Sequence, residues 1–312
     1  MTIAAAAPTA SNTAARFSPR WLADQVSRYL LHIVVIGLTV AWVLPTLGLL
    51  VSSVRPFSAQ ATSGWWAFFT NPTTFTLSNY TDVLAQSNLG QAFFNSFMIA
   101  VPATVLPVTI GAFAAYAFSW MKFPGRNGIF LALVGLLAVP LQLTFIPVLT
   151  FYVQNLHWTT DNLVATGIPG LPWVPLWLAH AGYGLPFSIY LLANFFRALP
   201  SDLFESAEID GAGTLTVFFR IVMPLSVPAI ASLVIFQFLW VWNDLLVALI
   251  YVGGAPEVAP LTVNLANLTN SLGQGSNLLT SAAFFSMIVP LIVFLSLQRY
   301  FVRGILAGSV KG

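Results

Sequence analysis

Six stretches of this chain are each long and apolar enough to cross a lipid bilayer, which limits its fold more than any other feature. A helix climbs ~1.5 Å per residue, so ~20 apolar residues cross ~30 Å of hydrocarbon. The stretches run at about 29–54, 92–120, 129–153, 174–196, 227–252 and 282–301. Charged residues make up 6% of the chain, against roughly a quarter in soluble domains. The expected fold is an all-α membrane protein with six transmembrane helices. The chain has no cysteine, so disulfides and thiolate chemistry are excluded. His32, His157 and His180 are too scattered in sequence to suggest a metal site. A net charge of +2 is too small to imply nucleic-acid binding.

Orientation follows from the basic residues. With six spans, both termini lie on one side. Ten of the eleven Lys and Arg residues fall on that side, among them Arg20, Arg28, Lys122, Arg126, Arg197, Arg220 and Arg299; only Arg55 falls on the other. The positive-inside rule makes the ten-residue side cytoplasmic. Residues 1–28 have no apolar core and are expected to be a disordered cytoplasmic tail. The outer loops carry Trp65, Trp66, Trp158 and Trp173, suited to a membrane interface. Every span contains proline, which suggests a bundle of bent helices. Gly111, Ala112, Ala114 and Ala115 suit close packing of the second span.

One long polar segment separates spans four and five. Four of the nine acidic residues lie in or just before it: Asp202, Glu205, Glu208 and Asp210. Asp202 and Glu205 have capping-box spacing. Leu203, Phe204 and Ala207 form an apolar ridge at helical spacing. Gly211 is a helix stop. Residues 214–223 then read as a second, amphipathic helix closed by Pro224. The acids argue against a helix lying on an anionic leaflet and favour a protein groove.

Glu205-Ser206-Ala207, three residues, Gly211, nine residues, then Ile221-x-Met223-Pro224 resembles the EAA loop of ABC importer permeases. Ser206 and Met223 are mild departures. Asp210-Gly211-Ala212, the stretch 114–126, Trp242-Asn243 and the end 298–312 are similar to the carbohydrate branch, and the tail resembles that of maltose-transporter-type second permease subunits. The resemblance implies an ABC type I importer permease fold over 29–302, with a coupling loop at 200–224 and a cytoplasmic tail at 303–312. It implies a second permease subunit, a cytoplasmic ATPase dimer, an extracytoplasmic sugar-binding protein and an inner-membrane location. Leu203, Phe204, Glu205, Ala207, Asp210, Gly211, Ile221 and Pro224 would form the ATPase-docking surface. This chain holds no phosphate-binding loop, so ATP and magnesium would sit on the partner. It would be no enzyme itself. The substrate would be an oligosaccharide such as a maltose- or trehalose-type α-glucoside.

Trp242, Asn243 and Asp244 are the polar cluster within a span. An acid there is a functional candidate: Asp244 and Asn243 for sugar hydroxyls, Trp242 for a ring face. A helix-to-helix hydrogen bond, or an acid in the outer interface ~30 Å along from Pro224, is the plainer account of Asp244; Gln142 and Gln237 read as helix-to-helix hydrogen bonds. His180 reads as a packed histidine. Two rivals stay open: a proton- or sodium-coupled secondary transporter using Asp244, and an ABC permease for a non-sugar solute. A membrane enzyme would need clustered acid, His or Cys groups, which the sequence lacks.

Overall fold

The computed structural model describes residues 19–72, 75–86, 88–268 and 276–309. Most of the expected N-terminal tail, and residues 310–312, lie outside them. All regular structure among the described residues is helical. In chain order the helices are α1 (Pro19–Ser53), α2 (Phe57–Thr62), α3 (Ser78–Gln86), α4 (Leu89–Trp120), α5 (Arg126–Leu136), α6 (Gln142–Thr150), α7 (Thr160–Ala165), α8 (Val174–Arg197), α9 (Ser201–Ile209), α10 (Thr214–Val217), α11 (Met223–Leu225), α12 (Val227–Trp242), α13 (Leu246–Tyr251), α14 (Leu261–Ala266), α15 (Ser276–Ser286) and α16 (Ile288–Ser309). The first helix starts at Pro19, ten residues before the expected span.

Four helical segments are long and apolar enough to cross a membrane: Gln25–Ser53, Leu89–Trp120, Leu171–Arg197 and Asn277–Arg299. They match the first, second, fourth and sixth expected spans. The third expected span is broken between α5 and α6, where residues 137–141 leave the α-helical ladder around Pro140. The fifth ends early at Trp242 and resumes in α13. At its other end, the segment Thr214–Leu225 meets α12 at a bend of 75°. Proline does not by itself mark these breaks. Helices α1, α4 and α8 run through Pro45, Pro102, Pro107 and Pro186 without interruption.

The pair α4–α8 is the spine of the bundle. Its contact depends on small residues: a Cβ on Gly111 would lie 2.8 Å from the Ser188 Cβ. Such close approach is how helices associate where lipid supplies no hydrophobic drive. Indole groups tie the pair near both ends. Trp177 Nε1 donates to the Met98 carbonyl at 2.8 Å, and Trp120 Nε1 to the Phe196 carbonyl at 3.0 Å. Helix α12 lies against α4 and α16. Gln237, on α12, donates to the Ala103 carbonyl at 3.4 Å, the interhelical bond expected of it. Gln142 is exposed at the start of α6.

Helix α1 differs. From Val26 to Val43 it presents apolar side chains to the outside on every face, the pattern of a helix surrounded by lipid or other apolar groups. Its C-terminal end is tied to the bundle. The Ser53 carbonyl accepts from Asn79 Nδ2 at 2.9 Å and Ser281 Oγ at 3.0 Å. Next to it, Arg55 is 1% exposed. Its guanidinium donates to the carbonyls of Ala59, Ser63 and Gly64 and to Ser63 Oγ. These acceptors lie in and just after α2, whose C-terminal carbonyls carry partial negative charge. The one basic residue outside the set expected to be cytoplasmic is thus a buried structural cation.

Candidate functional site

Helix α9 begins after Pro200, whose ψ of 131° is extended. Proline has no side-chain acceptor, so the expected capping box does not form. Asp202 instead lies in the first turn, where a carboxylate favours the helix dipole. The helix ends as the sequence suggests. Gly211 has φ +73°, the left-handed conformation that glycine adopts without strain. The Gly211 amide donates to the Glu208 carbonyl at 3.0 Å and the Ala212 amide to the Ala207 carbonyl at 2.9 Å. Both bonds together make a Schellman motif.

The apolar ridge of α9 faces inward. Phe204 stacks on Trp120, centroids 3.5 Å apart and planes at 18°. Ala207 is buried in a cluster with Tyr116, Phe218 and Val222. These two residues therefore hold α9 to its own bundle, Phe204 half-buried and Ala207 buried. The outward face holds Glu205, Glu208 and Asp210, with Leu203 at its edge. It also holds Ile209, 87% exposed, which the sequence reading missed. The signal was available: Ile209 is four residues after Glu205, an apolar side chain on the acidic face. Beyond Gly211, Leu215 and Phe219 are exposed, Ile221 is half-buried and Pro224 is exposed.

Trp242, Asn243 and Asp244 sit at the break in the fifth span, and the break explains them. Asn243 Nδ2 donates back to the Leu239 carbonyl at 2.8 Å, closing the end of α12. Asp244 accepts from the Val247 amide at 3.3 Å and the Ala248 amide at 3.0 Å, opening α13. Thr262 Oγ1 donates to the Asp244 carbonyl. The pair thus sits back to back between two helix ends. Trp242 is not a free ring face. It is 4% exposed, stacked on Phe238 and met edge-on by Phe93 and Phe97. Its indole donates to the Ser286 carbonyl at 3.3 Å.

Behind the break lies His180, fully buried as expected of a packed histidine. Its Nε2 is 3.6 Å from Asp244 Oδ2, beyond hydrogen-bond reach. It meets Trp240 edge-on at 5.6 Å. Trp240 is 38% exposed. Two residues of helix turn the side chain by about 200°, so Trp240 and Trp242 occupy opposite faces.

The described residues thus form an all-helical bundle with a polar helix–turn–helix between two apolar segments. Residues 107–307 match the family described as binding-protein-dependent transport system inner membrane component. The chain belongs to that family. It is 55% identical over 284 residues to the osmoprotective compounds uptake permease protein GgtD of Synechocystis sp., covering 90% of this chain and 91% of that one. It is 49% identical over 257 residues to the alpha-glucoside transport system permease protein AglG of Rhizobium meliloti, covering 81% and 65%. Its fold is similar to a chain of a bacterial ABC transporter that imports alginate, at TM-score 0.72 and 19% identity, covering 95% of this chain and all of that one. The chain is a transport component of the inner membrane and not an enzyme.

Proposed function

We propose that this chain is one half of the translocation pathway of a bacterial ABC importer for an oligosaccharide of the α-glucoside type. In this reading it has six spans, with α5 and α6 forming the third and α12 and α13 the fifth. The observation that carries the coupling role is the attachment of α9. Its inner face is stacked on Trp120 at the end of α4, while its outer face is free and acidic. A push on that face therefore reaches the α4–α8 spine directly. The likeness to an alpha-glucoside permease supports the substrate class.

ATP chemistry belongs to a separate cytoplasmic ATPase dimer, and a second permease chain completes the path. An extracytoplasmic binding protein delivers the sugar; a similar fold occurs in an alginate transporter in complex with a periplasmic protein, at TM-score 0.63. The acidic loop is cytoplasmic, on the side of ten of the eleven basic residues. Glu205, Glu208, Ile209 and Asp210 meet the ATPase, with Leu203 at the rim and Gly211 permitting close approach. The permease domain expected at 29–302 is taken to extend at both edges, since α1 begins at Pro19 within the expected tail at 1–28 and α16 runs to Ser309 within the expected tail at 303–312.

The test is purification of the chain from its own cells in mild detergent, with partners identified by mass, alongside uptake of labelled maltose and trehalose. A P-loop ATPase and a second multi-span chain should co-purify, and Ile209→Glu should release the ATPase while the chain still inserts. A chain that purifies alone sinks the reading.

A further inference from the structure

We propose that the cavity between the broken third span and the Trp240 face of α12 is a carbohydrate subsite for one neutral pyranose ring. This rests on the oligosaccharide reading above and moves the ring platform from Trp242 to Trp240.

The cavity measures about 430 Å³, within the ~300–1,000 Å³ range of small-molecule sites. Leu137 and Val139, in the break between α5 and α6, line one side. Thr144, Gly182, Tyr183 and Trp240 contribute to a lining that is otherwise aliphatic. Trp240 lies thirteen residues beyond Val227, ~20 Å along a path of ~30 Å, so the cavity is at membrane depth. Irregular backbone at that depth is tolerated where protein buries it or where it lines a watery cavity. Leu137 and Val139 are both exposed in this chain, and the subsite reading takes the second case. Discontinuous helices near the midplane are a recurrent setting for transported solutes.

The lining has the chemistry of a sugar site. It contains no carboxylate, guanidinium, ammonium or imidazole, which suits a neutral ligand. Trp240 supplies an aromatic surface for the apolar side of a pyranose, and His180 braces it edge-on. Hydroxyls lie across from it. Thr144 Oγ1 bonds Tyr183 Oη at 3.1 Å, and Tyr183 Oη bonds Tyr251 Oη at 2.7 Å. A phenol offers one donor and two acceptor positions. Two are in use, and one remains for a ligand hydroxyl.

The test uses the chain's lack of cysteine. A Cβ at Gly182 meets nothing within 4 Å, so Gly182→Cys places a thiol in the cavity without a clash. The assembled transporter in membrane vesicles is treated with a charged, water-soluble methanethiosulfonate, with and without maltose or trehalose. The expected result is labelling that the transported sugar slows by about tenfold, the scale of a ring-stacking contact. Gly90→Cys, exposed in the first turn of α4 and outside the cavity lining, is the control and should label at the same rate throughout. Equal labelling of Gly182→Cys with and without sugar overturns the subsite. So does labelling by a lipophilic maleimide alone, which would mean that lipid or a partner chain fills the cavity. Independently, Trp240→Ala should raise the KM of uptake about tenfold, with Trp240→Phe recovering most of it. If the wild-type transporter takes up neither sugar, the α-glucoside reading falls and takes the ligand assignment with it.

Discussion

The turn after α9 and the break after α12 perform the same operation, and in the six-span reading proposed above they do so in two media. Each interrupts a helix and starts another within a few residues. At the first, Gly211 closes the helix with two backbone bonds and no side chain. The neighbouring groups are exposed, and water satisfies what remains. At the second, a side chain does the work: Asp244 takes the Val247 and Ala248 amides, while Asn243 adds a second bond to a Leu239 carbonyl that already accepts the Asn243 amide. In hydrocarbon an unpaired backbone group costs several kcal/mol, so a break there must carry its own partners. A conformational residue suffices where water reaches; a polar side chain is needed where it does not.

The sharpest way to break this comparison is Asp244→Leu. Two amides at membrane depth lose a charged acceptor, and the expected loss of stability is about 3 kcal/mol. The thermal midpoint of the purified complex should fall, and Asp244→Asn, with one oxygen left, should fall by about half as much. If Asp244→Leu stops uptake but leaves the midpoint unmoved, the carboxylate serves the solute and not the break.

Gly211→Ala probes the other side and should cost less. Its Cβ would meet no atom within 4 Å, so the penalty is backbone strain alone, roughly 1 kcal/mol. The midpoint should shift slightly. Retention of the ATPase should weaken more than stability does, because the strain sits on the docking face. A drop as large as that of Asp244→Leu would show that the loop is not relieved by water, and the contrast between media would fail.

The same contrast explains what could be read from the sequence. The helix stop at Gly211, the acids of α9 and the four uninterrupted spans were legible because each is a local pattern. The inward face of α9 was not. The ridge of Phe204 and Ala207 announces that something covers it, but its cover includes Trp120, 84 positions away. The choice between Trp240 and Trp242 was hidden too. Helix α12 is apolar on all sides, so no periodicity separates its packed face from its open one. Arg55 was read as a stray outer charge because counting charges says nothing of the carbonyls that α2 turns toward it. Proline misled in the opposite direction. It occurs in every expected span, yet α4 and α8 stay whole, so only the surrounding packing identifies Pro140 as the place where a span gives way.

The smallest expected effect concerns His180, and it tests whether Asp244 acts through backbone caps or through charge. The imidazole is fully buried, and neither ring nitrogen has a hydrogen-bond partner among the described residues. Leaving a buried polar group unpaired already costs about 1–3 kcal/mol. Replacing it by an apolar side chain of similar size removes that cost together with some packing against Trp240. His180→Leu should therefore change stability by less than about 1 kcal/mol in either direction. A buried ion pair behaves otherwise: losing one partner strands the other charge and costs about 3–5 kcal/mol. A large drop for His180→Leu, matching that of Asp244→Leu and not adding to it in the double variant, would make the two residues one electrostatic unit. Independent, additive effects would leave Asp244 as the cap of a helix that has to begin inside the membrane.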